Sequence, residues 1–208
     1  NGMNAPNAIT GASPAAPWDI EQIIGTSPAV QEMYRLLARL IHNDLPVVLI
    51  GEAGTGKEIV ARTLHRMGNR KSEPFVVIRM EPSSPDFIEK ELSAIESGKQ
   101  PAAGTLFLDE IGGMPMKAQT RLLHWLQQGS HDMRIICATR HDLMQRIKSG
   151  ELLEDLYYRL NVVPIRIPPL RERREDIAPL ANYFLRKACE KGLTAKIFDA
   201  ETLAVMEQ

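Results

Sequence analysis

Short apolar runs alternate with segments of helical periodicity along the chain, and this alternation restricts the possible folds more than any other feature. A run such as "VVLI" has no polar side chain, which is typical of a strand buried on both faces of a sheet. Strands that alternate with helices favour a parallel sheet covered by helices on both faces. The predicted strands are Val47–Ile50, Phe75–Ile78, Thr105–Asp109, Arg134–Thr139 and Val162–Ile167.

The helical segments divide the chain into three predicted parts. Helices are predicted from Ser27 and Pro28, over Lys57–Met67, over Pro85–Glu96 and around Leu122–Leu126. Residues 1–22 have little to bury and are predicted to be an interdomain linker, residues 23–171 the α/β domain with a parallel five-stranded sheet, and residues 172–208 the truncated start of a small helical subdomain. The apolar face of the first helix is predicted to comprise Val30, Met33, Tyr34, Leu37 and Ile41.

The glycine-rich string "GEAGTGKE", Gly51 to Glu58, connects the first predicted strand to a helix. Backbone N–H groups can surround a phosphate where no Cβ intrudes, and the helix dipole and the ammonium of Lys57 add positive charge. A tight strand-to-helix turn in an unrelated domain is the alternative, but the strand–loop–helix context favours a phosphate site. The usual loop has Ser or Thr after the lysine, where this chain has Glu58.

Two carboxylates follow the third predicted strand, in "TLFLDE". Asp109 could bind Mg²⁺ and Glu110 could polarise an attacking water. The alternative is that both carboxylates only cap the next loop. Ligands of open α/β sheets bind at the carboxyl ends of the strands, so a phosphate loop on a neighbouring strand favours the functional interpretation.

Composition excludes several classes of protein. The formal net charge of −1 leaves no bulk basic surface for nucleic acid, so any DNA contact is expected from a separate domain. Cys137 and Cys189 fit no metal-ligand spacing and are predicted to be free thiols in a reducing cytoplasm. No apolar run is long enough to span a membrane.

Several longer strings together resemble the central AAA+ domain of bacterial enhancer-binding proteins, the NtrC-like activators of sigma-54 RNA polymerase. They are "IIGTSPAVQEM", "GEAGTGKEIVARTLH", "GTLFLDEIGGMP", "QTRLLHWLQQG", "DLYYRLNV" and "PPLRERREDI", and the likeness extends from Ile23 to about Gln208. In that family, glutamate after the loop lysine is usual, so Glu58 does not mark a decayed site. The helical subdomain would then be the start of the AAA+ lid.

The resemblance implies roles for individual residues. Ile24 and Gly25 would lie against adenine, Asp109 and Glu110 would serve Mg²⁺ and the attacking water, and Thr139 would sense the γ-phosphate. Arg159 would reach the ATP of a neighbouring subunit in a ring and stabilise charge in the transition state. The residues implied to hold the nucleotide phosphates are Gly51, Gly54, Thr55, Gly56 and Lys57. Glu52, Ala53 and Glu58 of the same loop are included among the nucleotide-binding residues.

The sequence also departs from the family pattern. The long loop carrying "GAFTGA", which grips sigma-54, is replaced by the short stretch 93–103, and its supporting loop is reduced to 130–133. Arg79 stands where the family has an asparagine that restrains the catalytic glutamate. Leu153 replaces a second arginine, and position 140 is Arg where Asn or His is common.

These features predict an ATP-binding domain of a cytoplasmic transcriptional regulator with slow or dispensable hydrolysis. We expect ATP or ADP with Mg²⁺, RNA polymerase contact without sigma-54 remodelling, and a homo-oligomer between a dimer and a hexameric or heptameric ring. DNA would be bound by a C-terminal domain that is absent from this chain. The alternatives are an active AAA+ ATPase that remodels a partner, and a structural dimerisation module with an empty pocket.

Overall fold

A five-stranded parallel sheet forms the centre of the computed structural model, which describes residues 23–80, 85–97, 103–129, 132–192, 194 and 196–207. The strand order is β2-β3-β4-β1-β5, and each neighbouring pair runs parallel. The predicted parallel five-stranded α/β fold is therefore confirmed, whereas the predicted linker at 1–22 lies outside the described residues. The strands are β1 Val47–Ile50, β2 Phe75–Arg79, β3 Ala103–Asp109, β4 Asp132–Thr139 and β5 Val163–Arg166.

The helices alternate with the strands up to β5, and beyond it the described segments with regular structure are helical. Ser27 caps the first helix, where its Oγ accepts a hydrogen bond from the Val30 amide at 3.4 Å, and Pro28 occupies the first turn. No helix of the described residues is long and apolar enough to cross a membrane. The helices are α1 Pro28–Leu40, α2 Lys57–Met67, α3 Pro85–Glu96, α4 Met116–Gln128, α5 Leu143–Lys148, α6 Glu154–Leu160, α7 Ile177–Glu190 and α8 Ala200–Met206.

Two apolar layers, one on each face of the sheet, form the core. Successive side chains of a strand point to opposite faces, so Val47 and Leu49 pack with α1 and α2 while Val48 packs with α3 and α4. All three residues are fully buried, as predicted for a central strand. On α1 the buried residues are Val30, Met33, Leu37 and Leu40, whereas Tyr34 and Ile41 are only half-buried at the edge of this layer.

The carboxyl ends of the central strands lie along one edge of the sheet. Parallel strands share this edge, so the loop after β1, the residues after β3 and the end of β4 come together there. The amide of Gly51 donates to the carbonyl of Thr139 at 3.0 Å, which ties the start of the glycine-rich loop to β4. At the next strand, the amide of Met80 donates to the carbonyl of Asp109 at 2.9 Å. The sheet thus brings the glycine-rich loop, the residues that follow β3 and the end of β4 to the same edge.

A buried carboxylate joins the segment before α1 to the segment before α7. Asp176 is fully buried and accepts hydrogen bonds from the amides of Thr26 and Ser27, at 2.6 and 2.9 Å, and from the Ser27 hydroxyl at 2.6 Å. The backbone of Gly25 also lies against this carboxylate, since an added Cβ would come within 2.6 Å of an Asp176 oxygen. A buried charge with this number of donors is well satisfied.

Replacing Asp176 with alanine is therefore expected to lower the free energy of unfolding by about 3 kcal/mol, because the two buried donors of Ser27 and the part-buried amide of Thr26 lose a charged acceptor. Urea denaturation measures this change. Asp142→Ala is the matched control, since Asp142 is an exposed cap that accepts one bond, from the Gln145 amide, and its loss should cost about 1 kcal/mol. Equal losses for the two variants would contradict this account.

Candidate nucleotide-binding site

The glycine-rich loop has the backbone conformation that its sequence requires. Gly54 and Gly56 adopt φ values of 80° and 96°, in the left-handed region where residues with a Cβ are strained. Gly56 immediately precedes α2, and the Val60 amide donates to its carbonyl at 3.1 Å. Within the loop, the Thr55 hydroxyl donates to the Glu52 carbonyl at 2.8 Å. The loop is therefore a folded turn at the N-terminus of a helix, where an anion is favoured.

The side chain of Lys57 lies inside this turn and is only 7% exposed. Its Nζ donates to the carbonyls of Gly51 and Glu52 at 2.9 and 3.1 Å. Nζ also lies 3.1 Å from Oε1 of Glu110, so the lysine of the loop and the second carboxylate of "TLFLDE" form a direct ion pair. A buried ammonium is costly without a counter-charge, and Glu110 provides it here.

Glu110 is held in a conformation that is unusual for a residue with a side chain. Its φ and ψ are 59° and 52°, and among the described residues it alone combines positive φ with a Cβ. Its other carboxylate oxygen, Oε2, accepts a hydrogen bond from the backbone amide of Arg140 at 3.1 Å. Residues in strained conformations persist where the surroundings fix them, and such positions cluster at functional sites. Lys57 and the Arg140 amide are therefore the observed restraints on this glutamate.

Asp109 and Thr139 flank that pair at the ends of β3 and β4. Burial raises the pKa of the Asp109 carboxyl, and the charge of Glu110 adds to this, while Lys57 and Arg79 act in the opposite direction. Thr139 is fully buried, and its hydroxyl oxygen accepts a hydrogen bond from the His141 amide at 3.0 Å. A hydroxyl that accepts a bond still has its proton to donate.

Glu58, the residue that follows the loop lysine, is paired with two arginines. Its Oε1 accepts from Nε and Nη2 of Arg62, one turn along α2, at 2.9 and 2.7 Å. Its Oε2 lies 3.2 Å from Nη2 of Arg79 at the end of β2. Sequence reasoning identified Arg79 only as a missing asparagine and did not foresee this pair.

A cavity of about 410 Å³ opens beside the loop. Loop residues 52–56 form one wall, and Ile24, Leu180 and Phe184 are among the apolar side chains of the others. The cavity is the right size for a small organic ligand. The predicted residue Ile24 therefore lies beside the loop, and its neighbour Gly25 lies against Asp176.

Charged residues of the "RERRED" string tie this cavity wall to the loop. Arg171 forms a two-bond ion pair with Glu52, and Nη2 of Arg173 donates to the Thr55 carbonyl at 3.3 Å. Arg173 is buried and lines the cavity, and its Nε has no hydrogen-bond partner among the described residues. Sequence analysis quoted this string without assigning roles to its residues, although its density of charge was a usable signal.

Arg159, the predicted trans-acting arginine, is not brought to this cluster. It lies exposed on α6, and its Nη1 donates to the carbonyl of Leu126 in α4 at 3.1 Å. Leu153, which takes the place of the second arginine, is half-buried, and its amide donates to Oε1 of Gln119 at 2.8 Å. The role of Arg159 thus stays a prediction that only an assembly can test.

The donor set fits a divalent ion that is shared with phosphates. Among the described residues no group of three or more His, Cys, Asp or Glu could hold a metal by itself. Mg²⁺ is usually bound through one or two carboxylates together with substrate phosphates and water. Asp109 offers such a carboxylate, whereas that of Glu58 is already paired with arginines.

Comparison with known proteins places the chain in a family. The family model described as "Sigma-54 interaction domain" matches residues 23–166. The DNA-binding transcriptional regulator NtrC of Rhizobium meliloti is 49% identical over 209 residues, which cover 89% of this chain and 43% of that protein. Because 89% of 208 residues is about 185, roughly 24 of the 209 aligned positions have no counterpart in this chain.

Solved structures agree with this match. NtrX from Brucella abortus in complex with ATP superposes with a TM-score of 0.82 at 32% identity, over 89% of this chain and 46% of that one. NtrX in complex with ADP has the same TM-score at 29% identity and covers 91% of this chain and 47% of that one. The chain thus spans less than half the length of these relatives. It belongs to the sigma-54 interaction domain family and has the AAA+ P-loop NTPase fold of the NtrC-type transcriptional regulators.

Proposed function

We propose that this chain binds ATP or ADP between the glycine-rich loop and the adjoining cavity. The observation that carries the proposal is the buried Lys57 inside the loop, with Glu110 paired to it, Asp109 and Thr139 at the neighbouring strand ends, and a cavity beside the loop. Phosphates would bind at residues 51–58, and the base would enter the cavity against Ile24. The ATP and ADP complexes of NtrX support this assignment. Calorimetric titration with ATP and ADP tests it, and absence of affinity would refute it.

The residues at the strand ends have distinct proposed roles. Lys57 would bind the β- and γ-phosphates, and Thr139 would donate its hydroxyl proton toward the γ-phosphate. Glu110 would orient and deprotonate the attacking water once the phosphates have replaced it on Lys57. Asp109 would hold Mg²⁺, which when bound neutralises charge on the phosphate oxygens. Arg159 of one subunit would complete the site of its neighbour in an oligomer.

We further propose that hydrolysis is slow. Leu153 cannot replace an arginine that stabilises transition-state charge, and Arg79 stands where the family resemblance implies an asparagine that restrains Glu110. Removing one well-placed transition-state donor typically costs about 10²–10³ in rate.

Combining Leu153→Arg with Arg79→Asn is therefore expected to raise steady-state ATP turnover about tenfold or more. This gain is smaller than the factor of about 10²–10³ for a donor that its surroundings hold in position. The change restores the arginine and the asparagine that related proteins carry at these positions. Phosphate release at oligomer-forming concentrations measures the rate. Leu153→Lys with Arg79→Asn is the control, since lysine supplies charge without the planar fork of arginine. Rapid turnover by the unsubstituted chain would contradict the proposal.

In the whole protein, we propose that this domain serves a cytoplasmic transcriptional regulator. It would switch by nucleotide and oligomer state, contact RNA polymerase without remodelling sigma-54, and rely on a DNA-binding domain outside this chain. The roughly two dozen positions missing from the alignment with NtrC support the shortened loops. An active ATPase that remodels a partner is the second candidate, supported by the presence of Asp109, Glu110 and Arg159, and the turnover assay separates the two. A structural module with an empty pocket would show no nucleotide affinity.

A further inference from the structure

Arg79 lies at a position from which a cation can act on the nucleotide site. It ends β2, and its Cα is the register partner of Asp109 on β3. Its Nη2 lies 3.2 Å from the carboxylate of Glu58, which directly follows the loop lysine. The guanidinium is therefore next to the residue that follows the loop lysine, at the end of the strand that pairs with the one carrying the proposed Mg²⁺ ligand.

The charged groups near the Arg79 guanidinium show which part of the site it is directed toward. Arg79 lowers the pKa of Asp109, against the larger effects of burial and of Glu110, so its charge reaches that carboxylate. Glu58 also pairs with Arg62, which occupies the other carboxylate oxygen. Arg62 stacks over the ring of Phe75 at 4.7 Å, at the start of β2, whereas Arg79 is the last residue of that strand. Of the two arginines on Glu58, Arg79 is thus the one directed toward the strand ends.

The pair between Arg79 and Glu58 is too exposed to be a strong structural link. The two side chains are 39% and 34% exposed, and ion pairs of that exposure contribute little to stability. The guanidinium has five N–H donors in a planar fork, and its ion pair with Glu58 is made through Nη2. Moving it onto phosphate oxygens therefore costs little, and guanidinium groups match phosphate geometry well.

We propose that Arg79 is a phosphate-binding residue that supplies, within the same subunit, part of the positive charge that a divalent ion otherwise brings. ATP binding by this chain then depends less on Mg²⁺ than it would with a neutral residue at position 79. This inference rests on the proposed nucleotide binding and extends it to a residue that the family pattern does not use in this way.

The test is ATP affinity of the 208-residue chain measured by calorimetry in excess Mg²⁺ and in EDTA. The quantity compared is the ratio of the Kd in EDTA to the Kd in Mg²⁺, because an inactive fraction of protein cancels from it. Arg79→Asn is expected to raise this ratio about tenfold, since one charge-assisted phosphate contact is lost where no metal compensates. Arg79→Lys should restore most of the difference.

Arg62→Gln is the matched control, because it removes the other arginine on the same carboxylate and should leave the ratio at its original value. An unchanged ratio in Arg79→Asn would overturn the inference, whether affinity falls equally in both buffers or in neither. If the unsubstituted chain binds ATP in neither buffer, the proposed function itself is wrong and this inference fails with it. If the unsubstituted chain binds ATP and the ratio is unchanged in Arg79→Asn, only the inference about Arg79 fails.

Discussion

Replacing Lys57 with alanine is expected to abolish ATP and ADP binding, which means a loss of affinity of about 10²-fold or more. The ammonium is buried inside the loop, and the carbonyls of Gly51 and Glu52 fix its position. No other cation is placed there by the loop itself, so the phosphates lose the one side-chain cation that the loop provides. Calorimetric titration of the variant with both nucleotides measures the loss.

The variant must remain folded for this result to be meaningful. Lys57 contacts the loop and Glu110 and belongs to neither apolar layer of the core, so the thermal melting curve should stay cooperative. Lys71→Ala is the control, since Lys71 is exposed and distant in sequence from the loop, and it should bind nucleotide normally. Undiminished affinity in Lys57→Ala would show that the phosphates bind elsewhere.

Open-complex formation at a sigma-54 promoter is expected to be absent with the full-length protein that carries this chain. Remodelling needs a protruding element whose position changes with the bound nucleotide, since a ligand shifts an equilibrium only through differential contacts. In the related activators this element is the loop after the third helix. Here only residues 93–103 separate Leu92 from Gly104, and the structure places 93–96 in α3 and Ala103 in β3. Of the bracing segment 130–133, residues 132 and 133 already belong to β4. Residues 98–102 and 130–131 of these loops lie outside the described part of the chain.

The assay compares purified sigma-54 holoenzyme with the housekeeping holoenzyme on matched templates, with and without ATP. A relative that carries the long loop is run in parallel, and it should open the sigma-54 promoter. Family membership does not decide this point, because the family model matches residues 23–166 of a chain in which this segment is short. ATP-dependent opening of the sigma-54 promoter by this protein would refute the prediction.

The central strands could be predicted from sequence because their signal is local. Val47–Leu49 form an unbroken apolar run that is fully buried, and the loop that follows has its own glycine signature. The starts of β3 and β4 could not be predicted in the same way. β3 begins at Ala103 because Ala103 pairs with Asp132 on β4, and pairing between distant segments leaves no local trace. Strand ends are therefore set by tertiary contacts.

The candidate site likewise has residues that the sequence predicts and contacts that it does not predict. The loop lysine and the Asp109–Glu110 pair are contiguous motifs with known chemistry, and the sequence predicted them together. The partners of these residues are far apart in the chain: Arg79 is 21 positions from Glu58, Arg171 is 119 from Glu52, and Asp176 is 149 from Ser27. Only the folded sheet brings such residues together, so their contacts had to be observed.

The ion pair between Lys57 and Glu110 has a consequence for how this site can be altered by mutation. Glu110 is the counter-ion of a buried ammonium, and a phosphate that binds Lys57 has to replace it. The same carboxylate is the proposed base for hydrolysis. A substitution that removes the base therefore also removes the competitor for the lysine, so affinity and turnover are linked at this residue and cannot be adjusted independently through it.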